Sequence, residues 1–308
     1  MPKSWLSGKP GPVKTSAGVS RALCCAQRNF RPQVMQSLLL IQTGEAPDSV
    51  RAQFGGFAEW FRNAMRLQPA QMQVVRVDAD EALPCPDEVP GAVITGSAAM
   101  VTERANWSER TVDWIRAAID AQTPMFGVCY GHQLMAYALG GEVGWLPGGR
   151  EIGTQPVARS TCADGDWLDT LPASFPVHTT HRQSVLAPPP GAEVLARSDC
   201  DPHQLLRYSP HALSTQFHPE FSAACMRAYI AARADVLRNE GLDPDVLMAE
   251  VRETEAARAL LERFAHAVLA RRREAASGES QATEGRSGVP IPKSNICAGV
   301  SSTRGDQG

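Results

Sequence analysis

The feature that most constrains this chain is the alternation of short apolar runs with segments whose apolar residues recur every three or four positions. SLLLIQ (37–42), MQVVRV (72–77), GAVIT (91–95) and PMFGV (124–128) have the length and residue types of buried strands. Between them, Phe54, Phe57, Phe61 and Met65 fall on one helical face, and Val112, Ile115 and Ile119 on another, with Asn106 and Ser108 as candidate N-caps for the second helix. Strands separated by helices pair in parallel, because each crossover returns the chain to the same end of the sheet. The expected fold class is therefore α/β: a mostly parallel central sheet with helices on both faces. Ligands in such sheets sit at the carboxyl ends of the strands.

The pattern changes between residues 142 and 217. EVGWL, QPVARS, AEVLAR, QLLRY and ALSTQF are short β-like pieces with Pro and Gly between them, expected to form a small antiparallel extension. Two helices follow. Asp243-Pro244 caps and starts one, and Leu261, Phe264 and Val268 mark the buried face of the last. Residues 1–34 are rich in Pro, Gly, Ser and basic residues, contain no Asp or Glu and lack periodicity, so a disordered extension is expected there. Met35, directly before the first strand, offers an alternative start of translation. Residues 273–308 read as a Gly/Ser-rich disordered tail, leaving 35–272 as the folded domain.

Charge and apolar content exclude several partners. A net charge of −3 leaves no excess of Lys and Arg to neutralise phosphates, so nucleic acid is not an expected partner. The most apolar stretch, SLLLI, is far short of the ~18 residues a membrane span needs. No membrane association and a cytoplasmic location are expected. The eight cysteines, at 24, 25, 85, 129, 162, 200, 225 and 297, contain no CxxC pair, which suits reduced cytosolic thiols. Cys200 and His203 offer two metal ligands where a tetrahedral site needs about four, so no metal is expected.

Chemistry concentrates in two segments. In MFGVCYGHQLMAYALGG (125–141) an apolar strand runs into Gly127-x-Cys129-x-Gly131 and then a helix-forming run. This is the pattern of a nucleophile elbow, whose sharp turn exposes the central side chain and needs flanking glycines because neighbouring Cβ atoms would collide. Cys129 also stands at a helix N-terminus, where partial positive charge favours thiolate. Taken alone, it could equally be a buried strand-end cysteine. STQFHPEF (214–221) tips the balance, since a β-like run delivers His218 and Glu220 two residues apart. Cysteine, histidine and acid complete a set in which imidazole takes the thiol proton and later gives it to the leaving amine, while the carboxylate fixes the ring tautomer.

Together GVCYGHQ and QFHPE resemble the signature of the class I glutamine amidotransferases, a Gly-x-Cys-x-Gly-x-Gln elbow followed by His-Pro-Glu. The resemblance runs from about residue 36 to 236. It implies the flavodoxin-like fold of that family, with Cys129 as nucleophile, His218 as general base and acid, Glu220 as orienting acid and Gln133 as a substrate contact. ITGSAAMV (94–101) matches the family's oxyanion loop, implying backbone donors at the Gly96/Ser97 turn and at Tyr130. Here Ser97 and Ala98 replace the commoner Gly and Pro. Loop and elbow are also similar to the amidotransferase part of GMP synthases. GREIG (149–153) matches the stretch after the elbow helix. HTTHRQSV (178–185) matches the segment where a histidine and an acid hold the substrate's amino-acid end, which makes His181 a candidate substrate-binding residue. The acid is missing from this segment, where Arg182, Gln183 and Ser184 follow His181. His132 is expected to be structural, and His203, His211 and His266 to be solvated.

The resemblance implies cleavage of the γ-carboxamide of glutamine through a cysteinyl thioester, with no cofactor. No P-loop or other nucleotide-binding stretch is present, so an ammonia acceptor is expected on a separate synthase subunit. The alternative is a γ-glutamyl peptidase or γ-glutamyl amide hydrolase using the same triad, which the missing acid near His181 favours. A third reading, a non-catalytic protein retaining the fold, fits poorly with an intact Cys129, His218 and Glu220.

Overall fold

The computed structural model describes residues 35–160 and 171–284, with side chains to residue 274. Strand β1 (Leu38–Gln42) leads to helices α1 (Asp48–Phe54) and α2 (Phe57–Ala64), then β2 (Met72–Arg76) and β3 (Ala92–Ile94). Helix α3 (Asn106–Asp120), β4 (Met125–Val128) and α4 (Tyr130–Ala138) follow. Seven further strands come next: β5 (Glu142–Trp145), β6 (Glu151–Arg159), β7 (Ser174–His181), β8 (Gln183–Ala187), β9 (Glu193–Arg197), β10 (Leu205–Ser209) and β11 (Ala212–Thr215). Helices α5 (Ala223–Ala231), α6 (Ala234–Asn239), α7 (Pro244–Glu250) and α8 (Glu255–Glu284) end the described chain.

A nine-stranded sheet has the order β2-β1-β3-β4-β11-β10-β9-β6-β7. Pairings from β2 through β11 are parallel, and those from β11 through β7 antiparallel. A separate antiparallel pair, β5-β8, makes a small second sheet. The expected α/β class holds, with β5-β8 as a small antiparallel sheet and further antiparallel strands continuing the main sheet. β11, read as part of the antiparallel extension, instead completes the parallel half beside β4.

Alternation along β1 explains its uninterrupted burial. Leu38 and Leu40 pack into one core with Phe57, Phe61, Phe126 and Phe264, while Leu39 and Ile41 pack into another with Val112, Ile115 and Leu134. Leu261, Phe264 and Val268 are buried as expected, and Asp243 caps α7, accepting from the Asp245 N–H at 2.9 Å.

Three local expectations are corrected. The single helix expected through Phe54–Met65 is two helices, because Gly55 takes φ 79° and breaks the run; Trp60 Nε1 bridges the break to the Phe54 carbonyl at 2.8 Å. Neither Asn106 nor Ser108 caps α3, whose N-cap is Ala105 without a side-chain bond. The Ser108 hydroxyl instead accepts from the Tyr130 hydroxyl at 2.7 Å. Helix α8 passes the expected tail boundary at 273 and reaches Glu284, carried by the Ala-, Arg- and Glu-rich run EAARALLERFAHAVLARRREAA. The disorder expected for residues 1–34 and for the tail beyond 284 lies outside the described residues. The chain divides into two compact units, Met1–Ala270, which holds the sheet, and Arg271–Gly308, whose described part is helical. Among the described residues no helix is long and apolar enough to cross a membrane.

Candidate active site

The elbow sits where the sheet's order brings three loops together. β4 lies between β3 and β11, so the chain leaving β4 at Cys129 is flanked by the loop after β3, holding Gly96 and Ser97, and the segment after β11, holding His218 and Glu220. Pairing of Val128 with Thr215 fixes the register of that meeting. Cys129 adopts φ 50° and ψ −96°, outside the ordinary basins for a side-chain-bearing residue. Backbone bonds hold it there: the Cys129 N–H donates to Thr215 O at 2.8 Å, and the Gly131 N–H to Thr95 O at 3.1 Å. Both elbow glycines are required by close approach. A Cβ on Gly127 would lie 2.7 Å from the Gly131 carbonyl oxygen, and one on Gly131 2.5 Å from the Ile94 carbonyl oxygen.

A methyl group placed on Gly96 would sit 3.0 Å from Cε1 of His218 and 3.6 Å from Cβ of Cys129, so the three residues converge on one point. His218 Nδ1 lies 2.7 Å from Glu220 Oε1, both side chains buried. Nε2, on the opposite edge, has no hydrogen-bond partner. Burial pushes the imidazole pKa down, but the charges of Glu220 and Cys129 and the hydrogen bond to Glu220 outweigh it and raise it to about 10. The Phe221 ring stacks on the imidazole at 4.3 Å and 27°, and the His218 N–H donates to His178 O at 2.8 Å.

The Gly96 carbonyl lies 2.9 Å from the Thr43 hydroxyl and 3.0 Å from the Thr95 hydroxyl, while the Thr43 N–H donates to Thr95 Oγ1 at 3.0 Å. In a trans peptide the carbonyl and the following N–H point oppositely. Tying the Gly96 carbonyl to these threonines therefore turns the Ser97 N–H to the other side of the peptide. The Tyr130 N–H is the first donor of α4 and has no intrahelical acceptor. Thr43 and Thr95 were not anticipated, since a hydroxyl acting across 52 residues leaves no local pattern.

Gln133 spends its amide donors inside the protein, on Gln183 O at 2.7 Å and Gln216 Oε1 at 3.0 Å. His181 does have acids, though not from its own segment: its Nε2 lies 3.2 Å from Asp201 Oδ2 and 3.4 Å from Glu151 Oε2. Against the cost of burial, the His181 hydrogen bond and charge, with Ser184 and the His203 N–H, hold Asp201 below its ordinary value. Burial raises Glu151, which accepts from Ser198 Oγ and Gln204 Nε2, each at 2.6 Å. His132 is structural as expected, fully buried with Nδ1 2.7 Å from Ser214 Oγ. His203 is not a solvated position; its Nδ1 lies 2.6 Å from Val185 O.

Residues 53–234 match the sequence model of the glutamine amidotransferase class-I family. The chain is 32% identical over 186 residues to a GMP synthase [glutamine-hydrolyzing] of Aeropyrum pernix, a match covering 59% of this chain and 34% of that protein. It is 28% identical over 185 residues to gamma-glutamyl peptidase 2 of Arabidopsis thaliana, covering 57% of this chain and 73% of that one. The chain thus spans about a third of the length of the first relative. Its fold is that of a crystallised glutamine amidotransferase of Thermotoga maritima, with a TM-score of 0.61 at 23% identity over 75% of this chain and 98% of the other. By sequence across more than half its length, and by fold, this chain belongs to the class I glutamine amidotransferase family.

Proposed function

We propose that residues 35–272 form a cytoplasmic thiol hydrolase domain that cleaves the γ-carboxamide of glutamine, with Cys129 as nucleophile, His218 as base and acid, and Glu220 as its orienting acid. The observation that carries this reading is an imidazole fixed through Nδ1 by a buried carboxylate, with Nε2 unspent, beside a cysteine on a strained turn. The Cys129 sulfur, its proton held by His218, attacks the side-chain carbonyl carbon. The developing oxyanion takes the N–H groups of Tyr130 and Ser97, the latter presented by the Gly96/Ser97 turn. His218 protonates the nitrogen as the C–N bond breaks, releasing ammonia and leaving a glutamyl thioester. Water, giving a proton to His218, then attacks the thioester carbon, and the C–S bond breaks to release glutamate and return the Cys129 thiolate. No metal or cofactor enters these steps.

Gln133, its amide donors occupied, offers substrate only its carbonyl oxygen. His181, held by Asp201 and Glu151, acts on the substrate through the corner of β6, β7 and β8 that it fixes. Ammonia, if passed on, goes to a separate synthase subunit. A second reading, γ-glutamyl peptide or amide hydrolysis with the same triad, is favoured by the absence of an acid from Arg182, Gln183 and Ser184 after His181, and by the likeness to the Arabidopsis peptidase over most of that protein's length. Turnover of glutamine, γ-glutamyl dipeptides and γ-glutamyl polyamines by wild type and Cys129→Ala, with mass-spectrometric trapping of a thioester on Cys129, tests both. Glutamine turnover lost in Cys129→Ala is expected; a strong preference for conjugates would replace the first reading with the second. Undiminished turnover in Cys129→Ala would refute both.

A further inference from the structure

A stack of rings leads from the candidate base to a half-buried cation. The Phe221 ring under His218 packs against Tyr229 with centroids 4.8 Å apart, and the Arg233 guanidinium lies over Tyr229 at 4.4 Å. Arg233 stands between α5 and α6, as the N-cap residue of α6. Its Nη1 is shielded from solvent and has no hydrogen-bond partner among the described residues. A neighbouring guanidinium is differently placed: Arg150 is answered by Glu240 through two bonds, Nε to Oε2 at 2.7 Å and Nη2 to Oε1 at 3.0 Å. Burial, and the nearby charge of Arg150, lower the Arg233 pKa, while Tyr229 and the Cys129 sulfur favour its charge. Arginine does not give up its proton in a protein, so a shielded guanidinium with an unused donor costs stability until an anion meets it.

We propose that Arg233 is a substrate-recognition residue of this site, its guanidinium taking a carboxylate of a γ-glutamyl substrate while Cys129 addresses the γ-carbonyl. A planar fork of donors suits a carboxylate, and the charge of an incoming acid relieves both the unused Nη1 and the repulsion from Arg150. The inference rests on the hydrolytic reading above and names what that reading leaves open, the acidic handle by which substrate is held. A γ-glutamyl compound can carry that carboxylate on its α-carbon or on the amine it releases.

The test compares wild type, Arg233→Met and Arg233→Lys on four substrates: glutamine, γ-glutamylmethylamide, γ-glutamylglycine and glutaminamide, the last without any carboxylate. Arg233→Met is expected to lose about ten- to a hundredfold in kcat/KM on carboxylate-bearing substrates, chiefly through KM, with Arg233→Lys between. Glutaminamide turnover stays within about twofold, and the Tm of Arg233→Met is no lower than wild type, since a half-buried charge with an unmet donor has gone. Loss on glutamine, methylamide and glycine conjugate alike assigns the α-carboxylate; loss confined to γ-glutamylglycine assigns the leaving side. Equal loss on glutaminamide, no loss on any substrate, or a lowered Tm with uniform loss overturns the proposal. Calorimetric binding of the same compounds to Cys129→Ala, with and without Arg233→Met, keeps the two readings apart. Arg233-dependent affinity in a protein whose wild type hydrolyses nothing would end only the hydrolytic reading, and Arg233-independent affinity in an active enzyme would end only this one.

Discussion

Glu220 is the residue whose charge decides the state of His218. Burial alone would strip the proton from this imidazole, and a carboxylate oxygen 2.7 Å from Nδ1, with the nearby Cys129 sulfur, reverses that. Glu220→Gln keeps an acceptor for Nδ1–H but removes the charge, so the His218 titration moves down from about 10. Nitrogen NMR of histidine-labelled protein should find the wild-type ring doubly protonated at pH 8 and the variant ring already losing its proton below that. Glutamine turnover should fall by about a hundredfold or more. An unchanged His218 titration in the variant would mean Glu220 does not set it. The turn at Cys129 was legible in the sequence because an elbow leaves a local mark: Gly127 and Gly131 are forced by contacts under 3 Å, so they appear at fixed spacing around the cysteine. The acids that hold His181 were not, because Glu151 reaches it from 30 residues away through strand pairing and Asp201 from 20 residues away through the loop between β9 and β10.

Among the elements, the end of β3 is the piece whose role the sequence hid most. Thr95 directly follows that strand, and its hydroxyl lies 3.0 Å from both the Gly96 carbonyl and the Thr43 N–H. Thr95→Val fills the same space and removes those bonds, leaving the Gly96 carbonyl held by the Thr43 hydroxyl alone. A mispointed donor costs less than a missing one, which is worth about 10²–10³ in kcat. The expected outcome is a kcat on glutamine lowered about tenfold, with KM and the rate of Cys129 alkylation by iodoacetamide near wild type. A matching fall in alkylation would locate the damage at the elbow instead. The parallel strands could be read in advance since both faces are apolar, as in LLLIQ of β1. β7 and β8 could not, because their inward positions are polar: His178, Thr179, His181, Gln183 and Ser184 are all buried, and the apolar-polar alternation that marks a strand is absent. Glycines misled as well as informed, since the spacing of Phe54, Phe57 and Phe61 continues across a break that Gly55 makes.

Across the whole molecule, the buried histidines set opposite limits on the pH at which the fold is most stable. His132 and His178 are both held down to about 3 by burial, with neighbouring histidines and arginines adding to it and Asp201 opposing it for His132. Depressed histidines are neutral in the fold, so their contribution is complete above the ordinary value of about 6.5 and is lost as pH falls toward 3, at roughly 1.4 kcal/mol per pH unit for each proton. Glu151, raised by burial, takes up a proton in the folded state and offsets part of that loss. His218 works the other way. Its raised value makes the protonated ring the stabilising form, complete below about 6.5 and lost as pH climbs toward 10. The Cys225 thiol, pushed up to about 12 by burial, adds to the alkaline loss above its ordinary range. Stability should therefore peak near pH 6 to 7 and fall on both sides, which urea-unfolding midpoints between pH 4 and 10 would trace. His178→Asn should flatten the acid limb by about one proton and leave the alkaline limb alone, while His218→Asn should flatten the alkaline limb between pH 7 and 9. A profile whose two limbs respond together to either substitution would show that His178 and His218 titrate as one coupled pair through the repulsion between their rings, rather than as independent limits.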